Sequence, residues 1–208
     1  MNFLKYLIFS IIGLLAFLLI LALFIPKKYT VSVSENIGRP KQMVYDYMKL
    51  LKNQEYYSEW IKADPNLRPE ISGEDGTVGA NQEWNSKIND VGEGSQAISA
   101  MTEDRIDMDL NFIRPMKGVA KAANIFTSID ERNTKVTSEF YDNTAYPFNL
   151  MSYFFGRKMV RDGMRKNLAN VKKLLETKDM PGTPIANPDY KPDEEKKYDK
   201  EGEKKVSY

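Results

Sequence analysis

The sequence predicts an α+β fold: a curved antiparallel sheet of six to seven strands wrapped around a long C-terminal helix, preceded by one transmembrane helix. Three observations predict it. Residues 6–25, YLIFSIIGLLAFLLILALFI, run from Tyr6 to Ile25 without a charge, enough to cross the roughly 30 Å hydrocarbon core as a helix. Between residues 68 and 141 apolar side chains recur at period two in consecutive segments joined by turn residues, the pattern of an antiparallel meander with one buried face. Residues 146–176 carry apolar side chains at helical spacing over about eight turns.

The N-terminal run reads as a single-pass anchor in the cell membrane, covering residues 1–28. A cleaved signal peptide is the rival, but the run exceeds an h-region of about 7–15 residues and no small-x-small site follows it. The side of the membrane stays open. Lys5 alone precedes the span while Lys27, Lys28, Arg39 and Lys41 follow it; the positive-inside tendency keeps the following domain cytoplasmic, whereas a signal-anchor exports it.

Residues 29–37, YTVSVSENI, alternate and predict a strand. Pro40 suits a first helical turn, and Met43, Val44, Tyr47, Met48 and Leu51 follow as a short amphipathic helix, with a further turn or two before Asp64-Pro65. Strands are predicted at 68–74, 79–86, 93–102, 105–113, 117–130 and 134–141. Ala80, Gln82 and Trp84 share one face; Gln96, Ile98 and Ala100 share another; Ile106, Met108, Leu110 and Phe112 alternate with Asp107, Asp109 and Asn111. In the long helix Leu150, Phe154, Val160, Met164, Leu168, Val171 and Leu175 form a stripe to be buried. A second ridge, Met151, Phe155 and Met159, widens its first half. Residues 177–208, with four prolines followed by DEEKKYDKEGEKK, predict a disordered charged tail, since they bury too little to offset their ordering entropy.

Composition narrows the chemistry. Thirty basic and 29 acidic residues in 208 give a net charge of +1, so no global field points to nucleic acid. The chain has no cysteine and no histidine, which excludes Ser-His-Asp and Cys-His catalysis and every His- or Cys-ligated zinc site. No cofactor is expected, and any catalysis runs on carboxylates, lysine, tyrosine or backbone.

The remaining constellations have bland readings beside the sharp ones. Asp107 and Asp109 could do acid/base work, but their apolar strand mates make them markers of the solvent face. Among Gln82, Glu83, Asn85 and Gln96 at least one pair points inward, to orient a ligand or to decorate an edge. Tyr141 and Tyr146 line a cavity mouth or cap a core. Gly156 and Gly163 each cost the long helix about 1 kcal/mol relative to alanine, which implies close packing or a kink. Arg157, Lys158, Arg161, Arg165 and Lys166 make a basic outer face, either solvated with pairs such as Asp162 with Lys166 or set against anionic lipid.

In this order, YTVSVSENI with Pro40 and Val44-Tyr45-Asp46-Tyr47, then Asn53, Trp60 and Asp64-Pro65, Gly76-Thr77-Val78-Gly79-Ala80 with Trp84, Gly92-Glu93-Gly94, Arg105-Ile106 with Pro115 and Gly118, Thr134-Lys135-Val136-Thr137 and Pro147-Phe148-Asn149-Leu150-Met151 resemble the START-like, or SRPBCC, superfamily. The likeness covers residues 29–176 and is nearest the polyketide cyclase/dehydrase and lipid-transport-like branch. It implies a helix-grip fold with a cavity between sheet and helix that accepts lipids, sterols or polyketides. On that basis Trp84, Gln82, Gln96, Phe148, Met151, Phe155 and Met159 are the candidate ligand-binding residues, and no catalytic set maps onto the chain. The expected function is a membrane-anchored binding protein for a hydrophobic small molecule or lipid. The alternatives are a scaffold subunit recruiting membrane-protein partners and, more remotely, a polyketide cyclase or dehydratase.

Overall fold

In the computed structural model residues 2–177 are described; the expected tail, beyond Thr177, lies outside them. An apolar helix α1 (Asn2–Phe24) leads into strand β1 (Lys28–Ile37). Three short helices, α2 (Lys41–Met48), α3 (Gln54–Tyr57) and α4 (Glu59–Lys62), precede the strands β2 (Glu70–Ser72), β3 (Asn81–Asn85), β4 (Glu93–Thr102), β5 (Arg105–Arg114), β6 (Gly118–Ser128) and β7 (Thr134–Asn143). The chain closes with α5 (Asn149–Met151), a π-helical turn (Ser152–Gly156) and α6 (Arg157–Glu176).

Among the described residues the strands form one antiparallel sheet in the order β1-β7-β6-β5-β4-β3-β2. The meander runs from β2 to β7, and β1 joins beside the last strand, so α2 to α4 bridge opposite edges. Register assigns the two faces. Val31 pairs with Phe140, Phe126 with Val136, Met108 with Ala122 and Gln82 with Gln96, and directly paired residues share a face. These inner-face positions carry the core: Ile37 and Val136 are fully buried, and Phe126, Ile106 and Ile98 almost so. The outer face carries the charged pairs expected for Asp107 and Asp109, with Arg105 and Lys121, beside a few exposed apolar residues such as Val119 and Ile113. One expectation fails locally. The register shifts between Ile98 and Ala100, so Met101, not Ala100, stands opposite Ile106; one extra residue flips the side-chain alternation.

The stripe of α6 is buried through Met164, Leu168, Val171 and Leu175, and it packs chiefly over β1 and against α3 and α4. Phe154, expected in the same stripe, is exposed. The π turn inserts extra residues per turn there, and the 3.6-residue phase does not carry through it. The two helix glycines have different causes. Gly163 faces α4: a β-carbon there would lie 2.5 Å from the indole of Trp60, whereas at Gly156 it would meet the Tyr29 hydroxyl and Ser152 Oγ at an ordinary 3.5 Å. Among the described residues the salt bridges of this helix join Lys158 to Asp162, Lys166 to Glu59 and Lys172 to Glu35, and none joins Asp162 to Lys166.

Inside the cap, Tyr47 is fully buried against Tyr57, and burial pushes both hydroxyls well above the ordinary phenol range. Tyr47 Oη has no hydrogen-bond partner. Because an unpaired buried hydroxyl costs about 1–3 kcal/mol, Tyr47→Phe is expected to raise the melting temperature; an unchanged or lower value in a thermal melt contradicts this.

Candidate functional site

The inner face is sealed at one end only. Where β1 ends and β7 begins, α2 and α6 close over Ile37, Val136 and Phe126. At the other end, Tyr29, Trp84, Leu110, Phe112 and Phe140 share the inner face but remain half-buried. Trp84 lies edge-on to Phe112, ring centroids 6.2 Å apart, and its ring passes over Gly94, where a β-carbon would sit 2.7 Å from the indole and 2.5 Å from the carbonyl of Asn111.

Gln82 and Gln96 point inward and are buried, while Glu83 and Asn85 point out. Gln96 Nε2 donates to Gln54 Oε1 at 2.6 Å and to Gln82 Oε1 at 2.5 Å, and Gln82 Nε2 donates to the Leu51 carbonyl at 3.1 Å. The pair thus stitches the helical cap to β3 and β4. Gly94 and these amides make the Trp84 side of the open end rigid.

A second polar group, not singled out from the sequence, sits at the open end. Ser152 Oγ donates to Asp142 Oδ2 at 2.7 Å, Thr144 Oγ1 donates to the same oxygen at 2.7 Å, and the Tyr29 hydroxyl lies 2.9 Å from Ser152 Oγ. Burial raises the Tyr29 hydroxyl above its ordinary range, so it stays protonated and able to donate. The signal was available in the register, since Asp142 faces Tyr29 across β1 and β7; the insertion at the π turn, which brings Ser152 over them, was not. Tyr141 faces outward, bonded to Glu139 and Arg105, and Tyr146 is partly exposed.

Phe148, Met151, Phe155 and Met159, aimed by the sequence reading at a space between sheet and helix, stand in the open at 58–69% exposure. Within α6, Met159 precedes Leu168 by nine residues, which at 100° per residue sets it on the opposite side of the helix from the buried stripe. Two surface depressions, of about 720 and 940 Å³, open on the outward side of the sheet: one across Thr30, Ala97, Val119 and Lys121, the other between the 64–70 loop and Glu83, Asn85 and Ile113.

The second depression is edged by Asp64, which accepts hydrogen bonds from Ser86 Oγ and the Asn66 N–H. These bonds, the Ser86 one first, hold the carboxyl below its usual range. A depressed carboxylate pKa contributes stability that is present above the unfolded-state value and lost as pH falls through the folded one. Ser86→Ala is therefore expected to move the acid-unfolding midpoint to higher pH, followed by circular dichroism; an unmoved midpoint contradicts the assignment.

No protein-family model and no curated protein matches the chain. Solved structures do. StfQ, a di-domain ARO/CYC from the steffimycin biosynthetic pathway, superposes with a TM-score of 0.53 at 11% identity over 70% of this chain and 50% of its own. Protein MLL2253 from Mesorhizobium loti gives 0.53 at 12% over 71% and 97%, and Ara h 8.0201 gives 0.50 at 12% over 70% and 96%. The fold is the helix-grip fold. DynU16, from the dynemicin biosynthetic locus, shares it with a TM-score of 0.51 at 13% identity, 71% of this chain covering 47% of that one, so the chain spans about half the length of the di-domain StfQ and of DynU16. In helix-grip terms the gripping sheet is β1 to β7 and the gripped helix is α6.

Proposed function

We propose that this protein is a membrane-anchored binder of a hydrophobic small molecule or lipid, held at the open end of the inner face. The observation that carries it is the contrast along that face: aliphatic and aromatic residues are fully buried at one end, yet Tyr29, Trp84, Leu110, Phe112 and Phe140 at the other have no complete cover. A groove with apolar walls and few polar groups suits a ligand that is mostly hydrocarbon. The Asp142, Ser152 and Tyr29 cluster offers acceptors at its mouth, with the neutral Tyr29 phenol, which donates to the Ser152 carbonyl at 3.2 Å, free to redirect its proton, suited to a ligand hydroxyl or amine. Gln82 and Gln96 brace the wall that carries Trp84. The α1 helix, in which Phe3–Phe24 is long and apolar enough to cross a membrane, supplies the anchor.

Native mass spectrometry of the full chain in mild detergent tests the proposal. A retained lipid-sized adduct is expected, reduced by Ser152→Ala with Tyr29→Phe and abolished by Leu110→Glu. An adduct-free protein whose Trp84 fluorescence, read in a Trp60→Phe background, responds to no lipid or fatty-acid probe overturns it, and stoichiometric co-purification of a membrane protein would favour the scaffold alternative.

A further inference from the structure

The exposed apolar face at the start of the closing helix lies beside the end of α1. Asn149, buried, donates from Nδ2 to the carbonyls of Ala22 and Ile25, each at 2.8 Å, and Ala22 is itself buried in the last turn of α1. If α1 spans a bilayer, residues 22–25 stand at its boundary, and Asn149 fixes α5 at that depth. Around it, Phe148, Met151, Phe154, Phe155 and Met159 are each more than half exposed. The apolar character is confined to this end: beyond Met159 the exposed positions of the helix are Arg165, Lys166, Ala169, Lys173 and Glu176, basic but for Ala169 and the terminal Glu176.

We infer that the face formed by Phe148, Met151, Phe154 and Phe155 is a second membrane contact, seated in the interface of the bilayer that α1 crosses, with Arg165 reaching anionic head groups above it. Three things select a phospholipid surface over a protein partner. The face is continuous with the span through the Asn149 bonds; its polarity changes from apolar to basic with distance from the span, matching the profile from acyl chain to head group; and aromatic and Met side chains favour that boundary. The inference rests on the anchor reading above. It adds a route: the open end of the inner face, beside Tyr29 and Ser152, is then presented at the membrane, so that a ligand passes from bilayer to groove without crossing water.

The native chain has no cysteine, so single cysteines at Leu14, Met151, Phe155 and Ala169 can each carry a bimane fluorophore in the full chain, reconstituted in nanodiscs of phosphatidylcholine and phosphatidylglycerol with brominated acyl chains. Melting curves confirm that each labelled chain is folded. Quenching of at least twofold is expected at Leu14, Met151 and Phe155 and almost none at Ala169. Quenching at Leu14 with none at Met151 and Phe155 overturns the second contact while leaving the anchor intact; no quenching at Leu14 overturns the anchor and the contact with it. Quenching at Met151 and Phe155 that persists after the disc is dissolved in detergent, with only co-purified lipid remaining, marks a bound lipid and also overturns the contact.

Discussion

Gly94→Ala lowers the melting temperature by roughly 5–10 °C, the equivalent of about 2–3 kcal/mol of overpacking in a domain of this size. The added methyl would meet two things that cannot both move: the backbone oxygen of Asn111 at 2.5 Å on the neighbouring strand, and the ring of Trp84 at 2.7 Å. Relief requires either separating β4 from β5, which share nine paired positions, or expelling the indole from the inner face. The second route destroys one wall of the proposed groove, so ligand retention falls together with stability. A melt followed alongside Trp fluorescence separates the two, because expulsion exposes the indole. A variant as stable as the parent with an unshifted emission maximum would disprove this account.

Gly163→Ala carries the second largest effect. Its β-carbon would sit 2.5 Å from Trp60, but Trp60 is only partly covered and can swing into solvent. The cost is therefore lost packing, about 1–2 kcal/mol net of the roughly 1 kcal/mol that alanine contributes to a helix. Gly156→Ala is the internal control. It has room at 3.5 Å and ordinary helical dihedrals, so the same substitution seven residues earlier should raise stability by up to about 1 kcal/mol. Equal and same-sign shifts for the two variants in chemical denaturation would refute the distinction.

The sheet was legible because period-two patterning survives in strands such as Arg105–Arg114, where Ile106 and Met108 are buried and Asp109 and Asn111 are not. Glu70–Ser72, only three residues at the edge, gave a weak signal for the same reason in reverse: an edge strand has fewer neighbours to impose alternation. Gln82 and Gln96 could be paired from the strand order, and their burial follows from sharing a face with Ile98. The first half of the closing helix was misread in orientation. Helical spacing reveals that Met151, Phe155 and Met159 share a face, but not which solvent that face meets; a ridge turned to lipid has the same spacing as one turned to a core. The π turn compounds this, since no local residue pattern announces it and it rotates the residues before it relative to Met164 and Leu168.

Three residues, Ile25, Pro26 and Lys27, separate α1 from β1, and fully extended they reach no more than about 11 Å. Even that slack is taken up: the Ile25 carbonyl accepts from Asn149, and the Lys27 carbonyl accepts from the Thr144 N–H at 2.9 Å. The folded unit is bolted to the end of α1 and the linker after it at two separated points of the chain, not hung from a string. With α1 as the anchor proposed above, it would not sample a hemisphere of positions above the membrane surface, and it would not carry a bound ligand outward to a distant acceptor. On that proposal, exchange of ligand would happen within its own footprint, with a donor or acceptor that diffuses laterally to it.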